Sequence, residues 1–223
     1  VQSREFGVEK KMQRIVECVP NFSEGRNPDT INQIKEEIEG VSDVKLLNVE
    51  PDWDYNRTVI TFVGKPEGVK DAAFKAIAKA AELINMSKQK GEHPRIGATD
   101  VCPFVPIANV TMETCVELAS ELGKEVGDRL GIPVYLYAEA ARTAERKDLS
   151  NIRKGEYEGL KEKLSREDWK PDYGSAVFNE TVKRTGATVI GARNFLIAYN
   201  VNLDTENVRI ANRVAGIIRE SGS

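Results

Sequence analysis

The residues of this chain that could do chemistry are few, and they gather in three polar loops. The densest stretch is Ser87-Lys88-Gln89-Lys90-Gly91-Glu92-His93-Pro94-Arg95, which holds the single histidine of 223 residues. With one imidazole, a multi-histidine metal site cannot form within the chain. Acid–base work near neutral pH must therefore use His93 or a strongly shifted carboxylate, lysine or cysteine. A lone histidine is often structural. Here Glu92 and Arg95 flank it in a loop bounded by Gly91 and Gly97, at a helix-to-strand junction, and that setting shifts the reading toward function. Pro94 biases His93 toward an extended backbone.

The second loop carries Asn21, Ser23 and Glu24. The third carries Asp52, Asp54, Asn56 and Arg57. Turn chemistry and solvated charge account for any one of these residues alone. A Ser–His–Asp triad can be written from Ser23 or Ser87, His93, and Asp52 or Asp54, but no nucleophile elbow accompanies it. Gly186-Ala187-Thr188-Val189-Ile190-Gly191-Ala192-Arg193 has glycines but lacks the lysine-and-hydroxyl ending of a phosphate loop.

Composition narrows the classes further. Lys+Arg 32 against Asp+Glu 35 gives a formal charge of −3, without the net basic field of a dedicated nucleic-acid binder. No apolar run approaches the roughly 20 residues that span a bilayer. Val1 to Lys11 reads as a polar leader without a secretory apolar stretch, and a cytoplasmic globular protein is expected. Cys18, Cys102 and Cys115 form no C-x-x-C pair, so reduced thiols packed in a core are expected rather than a disulfide framework or a zinc ribbon.

The elements that must position the three loops follow from periodicity. Arg14 to Val19 alternates as a strand, ended by Pro20 and a polar turn over Asn21 to Gly25. A helix is capped by Asn27, with Pro28 first and Gly40 just past its end, and Ile31, Ile34 and Ile38 form its buried stripe. Val44 to Val49 and Arg57 to Val63 read as strands around the acidic loop Glu50 to Asn56. Pro66 opens a long helix striped by Val69, Ala73, Ile77, Ala80 and Ile84. A strand runs from about Asp100 to Ile107. Thr111 caps a helix striped by Cys115, Leu118, Leu122 and Val126 and stopped by Gly131, and a strand follows over Ile132 to Tyr137.

The first six elements match the split βαβ, ferredoxin-like arrangement, an α+β fold with a mixed sheet and helices on one face. Ala140 to Lys170 reads as charged and helical or irregular, and Pro171 to Gly186 as a loop. A strand over Phe195 to Leu203 and a helix over about Thr205 to Arg219, striped by Val208, Ala211 and Val214 or Ala215, close the chain. A strand plus a helix cannot bury itself. The pair must dock on the first domain, pair with another chain, or begin a second subdomain.

Several strings together resemble the glutamate formimidoyltransferase family: Val16-Glu17-Cys18-Val19-Pro20-Asn21-Phe22-Ser23-Glu24-Gly25, Asn56-Arg57-Thr58, Lys90-Gly91-Glu92-His93-Pro94-Arg95, Asp100-Val101-Cys102-Pro103-Phe104, Pro133-Val134-Tyr135-Leu136-Tyr137, Gly155-Glu156-Tyr157-Glu158 and Gly191-Ala192-Arg193-Asn194-Phe195-Leu196-Ile197-Ala198. The match runs in order from about Arg14 to Ser221. It implies transfer of a formimino group from N-formimino-glutamate to tetrahydrofolate, a co-substrate, in histidine breakdown, with no metal. His93 falls on the family's catalytic acid–base. Gly174, Ser175, Ala176, Val177 and Phe178, after Pro171-Asp172-Tyr173, together with Gly186, fall on the folate-contacting loop.

The resemblance also implies two facing ferredoxin-like subdomains and a homodimer. Residues 12–192 would form the N-terminal subdomain and 193–223 the incomplete start of the next, since family members continue further. Gln89 stands where members often carry a second histidine, and Ser175 where a proline is usual. In this reading a pteridine nitrogen attacks the amidine carbon and loses a proton, the departing glutamate amine gains one, and one imidazole serves both steps. Asn21, Glu24, Asp52, Asp54, Asn56, Arg57, Glu92 and Arg95 support it. Glu92, Asp52 or Asp54 holds the formimidoyl cation or orients His93, and Arg57 or Arg95 pairs with substrate carboxylate. Lys88, Lys90, Lys183 and Arg184 draw in the folate glutamate tail. The alternative is a non-catalytic, truncated folate-binding or regulatory relative, and a weaker one is a hydrolase with water as acceptor.

Overall fold

Asn27 does what its position predicts. Its Oδ1 accepts the amides of Asp29 and Thr30 at 3.0 and 3.2 Å, and starts α1 (Pro28–Glu39). The computed structural model describes residues 13–197 and 203–218. Helices α2 (Pro66–Leu83) and α3 (Met112–Leu130) follow the predicted stripes. Gly131 closes α3 in the left-handed conformation that glycine tolerates, at φ 66°.

The strands are β1 (Ile15–Cys18), β2 (Asn21–Phe22), β3 (Val44–Asp52), β4 (Arg57–Gly64), β5 (Thr99–Ala108), β6 (Val134–Ala138) and β7 (Thr188–Ala192). β4 pairs antiparallel with β3 on one side and with β1 and β2 on the other, and β1 and β2 in turn pair antiparallel with β5. That is the split βαβ sheet. β7 and β6 then extend it at the β5 edge, both parallel.

The three long helices pack on one face. Even-numbered strand residues (Val16, Cys18, Ile60, Phe62, Cys102, Phe104, Val134, Leu136, Ile190) join Ile34, Ile38, Ile77, Leu118 and Leu122 in one core. Burying one such isoleucine or leucine is worth about 2 kcal/mol. Each exposed i,i+4 pair on these helices, such as Lys75–Asp71, contributes about 0.3–0.5 kcal/mol. The stripe, not the charge lattice, holds the layers together. Cys18 and Cys102 lie buried on neighbouring strands with Sγ atoms 3.5 Å apart, and all three cysteines are free thiols. Burial pushes the Cys18 thiol up, and that of Cys115 up to about 11, so neither is a nucleophile at neutral pH.

Four details differ from the sequence reading. Asn21 and Phe22 pair with Val59 and Thr58 as strand rather than turn, because the Val19-Pro20 step interrupts the ladder without ending it. The supposed loop Pro171–Gly186 contains a helix, α6 (Glu180–Thr185), capped by Asn179. Over the β5–β7–β6 half, the second sheet face is covered by α4 (Leu149–Arg153), α5 (Leu160–Ser165) and α6. Ile152, Leu160, Leu164 and Val182 pack there on Val101, Tyr135, Tyr137 and Val189. The late strand is Thr188–Ala192, buried throughout, whereas 193–197 and 203 are not strand. The middle of the expected strand, 198–202, lies outside the described residues. A five-residue run with two neighbours and two covered faces shows no alternation, so its strand character was hidden. Helix α7 (Val208–Ile218) forms as expected, yet no residue of it is buried. Among the described residues, no helix is long and apolar enough to cross a membrane.

Candidate active site

All three polar loops meet at one edge of the sheet. β2 ends there, β4 and β5 begin there, and Phe22 is in register with both Thr58 and Thr99. Two glycines permit the loops to touch backbone to backbone. A Cβ on Gly25 would lie 2.1 Å from the Asp52 carbonyl oxygen, and one on Gly91 would lie 2.2 Å from that of Tyr55. Asn56, in the left-handed region at φ 47°, ties the loops together: its Nδ2 donates to Lys90 O at 2.8 Å and its Oδ1 accepts from Gly25 N at 2.9 Å.

This clamp leaves His93 half-buried over Arg57. Arg57 Nη1 donates to Asn21 Oδ1 at 2.7 Å and to His93 Nε2 at 3.1 Å. A guanidinium has no acceptor, so Nε2 offers its lone pair and the neutral ring carries its proton on Nδ1. That Nδ1 is buried and has no partner. Tyr55 packs edge-on against the ring, centroids 5.9 Å apart. Burial first, then the charges of Arg57 and Arg153, hold the imidazole below its ordinary pKa, with Asp100 pulling the other way. Ser23, Tyr55, Asn56, Gln89, Arg95 and Asp100 close around His93 and Arg57 in a recess too tight to admit a water molecule.

The remaining predicted residues divide between scaffold and periphery. Glu24 Oε1 accepts the amides of Arg26 and Asn27, and Asp52 Oδ1 accepts the amide of Tyr55 at 2.8 Å. Both carboxylates shape turns. Asp54 contributes its carbonyl to Glu92 N at 3.3 Å, and the Glu92 side chain is exposed. None of Glu92, Asp52 and Asp54 hydrogen-bonds the imidazole; the carboxylate acting on it is Asp100. The paper triad also dissolves, because Ser23 Oγ donates to Gly97 O at 2.7 Å and Ser87 Oγ to Asn85. Arg95 does not face a free space for a substrate carboxylate. Its fork holds both oxygens of Glu158 at 2.8 Å, Glu156 at 3.0 Å and Gln89 Oε1 at 2.8 Å. Gln89 therefore braces the loop, and its Nε2 reaches Asn56 O.

The loop expected to meet folate lies along the same edge, since β5, β7 and β6 run parallel and begin there. Gly174, at φ 79°, presses on the carbonyl of Ile132, and Gly186, at φ 69°, on that of Ile96, three residues from His93. Phe178 packs on Tyr157, whose amide donates to Arg95 O and whose hydroxyl donates to Lys183 O. Ser175, Ala176 and Val177 form a tip in which the Ser175 hydroxyl and Val177 bond each other, with Val177 exposed. Lys88 and Lys90 are exposed, Lys183 pairs with Glu180, and Arg184 donates to carbonyls of Ala81 and Glu82.

Sequence reasoning missed Asp100, Arg153 and Tyr55. Asp100 is 1 % exposed, accepts Ile96 N at 2.9 Å and forms an ion pair with Arg153. It left a signal, as the one charged residue of an apolar strand. Arg153 left none among the many charges of 140–170. Among the described residues, the buried side-chain nitrogen and oxygen atoms without a partner are Arg57 Nε, His93 Nδ1, Thr99 Oγ1 and Arg153 Nε. All four lie at this edge. Each such atom costs about 1–3 kcal/mol, so their concentration marks a place shaped for something other than stability. No group of three metal-ligating side chains occurs among the described residues.

Residues 15–193 match the model of the formiminotransferase domain, N-terminal subdomain. The chain is 56% identical over 207 residues to a glutamate formimidoyltransferase of Thermoplasma acidophilum, covering 92% of this chain and 67% of that protein. It is 47% identical over 211 residues to a glutamate formimidoyltransferase of Streptococcus pyogenes serotype M1, covering 95% and 70%. A formimidoyltransferase-cyclodeaminase of Sus scrofa is 49% identical over 211 residues, covering 95% of this chain and 38% of that longer protein.

Proposed function

The chain belongs to the formiminotransferase family through its N-terminal subdomain, and from that premise we propose that it transfers a formimino group from N-formimino-glutamate to tetrahydrofolate with His93 as the acid–base. The observation that carries the role of His93 is its half-buried ring, held through Nε2 by Arg57, disfavoured as a cation, and unpartnered at Nδ1. A neutral imidazole near pH 7 can accept a proton from the attacking pteridine nitrogen and return it to the departing glutamate nitrogen.

The geometry adds a condition to that step. Arg57 covers the ring's lone pair, so Nε2 becomes a base only when Arg57 lets go. A carboxylate of the donor is a stronger partner for a guanidinium than a neutral imidazole is. Substrate binding would thereby draw Arg57 toward the donor and free Nε2 as the reacting groups arrive. Asn21, on the other Nη1 hydrogen, limits how far Arg57 swings. Gly174 to Phe178 and Gly186 provide the folate-facing rim along the same edge. The family resemblance supports residues 193–223 as the start of a second subdomain and a homodimer as the assembly, and the composition supports a cytoplasmic setting. Sedimentation of the purified chain tests the dimer.

The direct test is formimino transfer by the wild-type chain and by His93→Ala, followed as glutamate release that depends on tetrahydrofolate. We expect the variant to lose about 10²–10⁴-fold in kcat while binding folate nearly as well. Equal turnover in the two proteins would remove His93 from the chemistry. Folate binding without turnover in the wild type would favour the non-catalytic relative instead.

A further inference from the structure

The mechanism leaves one buried charged pair at this edge without a role. Asp100, first charge inside β5, lines the same recess as His93 and is almost wholly buried. Its Oδ1 is fixed by the amide of Ile96, three residues after the histidine, and its Oδ2 takes Arg153 Nη2 from the last turn of α4. Arg153 is itself largely buried, with 18 % of its side chain exposed, and its Nε has no partner. A buried ion pair seldom adds net stability, and this one retains an orphan donor, so stability is a poor reason for it.

We propose that Arg153, anchored on Asp100, is a positioning residue that sets a second guanidinium against the His93–Arg57 pair and keeps the ring in its neutral, proton-accepting form. The inference rests on the reading of His93 as the acid–base. The groups around the ring come from several elements. Asn21 and Arg57 come from β2 and β4, Tyr55 from the loop before β4, and Gln89 and Arg95 from the histidine loop. Asp100 lines the recess from β5, and Arg153 of α4 stands behind it on Asp100 Oδ2. Arg95 is neutralised by Glu156 and Glu158. Glu156 and Glu158 together outweigh Arg95 but are exposed, so within the recess Arg57 and Arg153 stand against the one buried carboxylate, Asp100, and oppose a third positive charge on the ring. Asp100 thus has two effects with opposite consequences: it holds Arg153 in place, and it partly offsets the charge that Arg153 brings.

Because the chain has a single histidine, its ring C2 proton is one resolved resonance in an NMR titration, read without any turnover. In the wild type we expect the midpoint below 6.5. In Arg153→Gln it should rise by about one pH unit, because a cation is lost and Asp100 is left facing the ring. In Arg153→Lys, which keeps a cation on the Asp100 anchor, it should stay near the wild-type value. A midpoint that does not move in Arg153→Gln, or that moves as far in Arg153→Lys as in Arg153→Gln, overturns the proposal. So does a wild-type midpoint at or above 6.5, a measurement that needs no variant to fold. The acid limb of kcat/KM is then recorded on the same proteins. If the midpoints move as expected and the limb stays put, the positioning role stands and it is the catalytic role of His93 that fails.

Discussion

At the scale of the residue, His93 is a base whose lone pair is covered and whose charged form is opposed. Burial and two arginines act in the same direction, and Asp100 only partly against them. The folded-state pKa lies below the unfolded value, so below pH 6.5 the unfolded chain binds more protons than the folded one. Stability contributed by the neutral ring is present above pH 6.5 and is lost as pH falls toward the depressed folded value. Denaturant melts of the wild type and His93→Gln between pH 7 and 5 should show a shallower decline in the variant. Parallel curves would mean that the ring is not held neutral. Other residues have traded predicted chemistry for structural work. Arg95 was expected to meet substrate, yet its fork is filled by Glu158, Glu156 and Gln89. Residue type alone does not distinguish an arginine waiting for a carboxylate from one that already has it.

At the scale of the element, the site is made by three loops pressed together, and glycine is what allows the pressing. Gly91 sits where a methyl group would lie 2.2 Å from the Tyr55 carbonyl oxygen and 2.8 Å from Asn56 Cβ. Gly91→Ala should push the histidine loop away from the 50s loop and lower kcat by about 10²-fold, the cost of misplacing a reacting group by about an ångström. Circular dichroism should still report the native sheet, because the core beneath does not include this loop. Unchanged kcat would show that the clamp through Asn56 is not needed for catalysis. The elements themselves were largely legible. The helix stripes, the Asn27 cap and the Gly131 stop are local signals, and they place α1 and α3 to within a residue. β7 escaped because a strand buried on both faces has no alternation, and α6 because a six-residue helix barely completes one stripe.

At the scale of the whole molecule, a ferredoxin-like sheet is lengthened by two parallel strands, and the edge where those strands start carries every residue assigned to the chemistry. Helix α7 has no fully buried residue. Of the stripe that periodicity reads as a buried face, Val208 is 68 % exposed and Ala211, Val214 and Ala215 are only half-buried, and Ile217 beside it is 76 % exposed. Val208→Asp and Ile217→Asp should leave the melting temperature of this chain unchanged. A clear drop would show that the helix docks in solution. The amino-acid sequence by itself determined the βαββαβ order, the helix ends, the reduced core thiols and the one imidazole available for acid–base work, because each depends on neighbours within a few residues or on a count. Only the tertiary structure decided which charges face that imidazole. Asp100 and Arg153 are 53 positions apart and Arg57 is 36 from His93. Such pairings are fixed by strand register and helix packing across the sheet, which act over distances in the chain that no local pattern records.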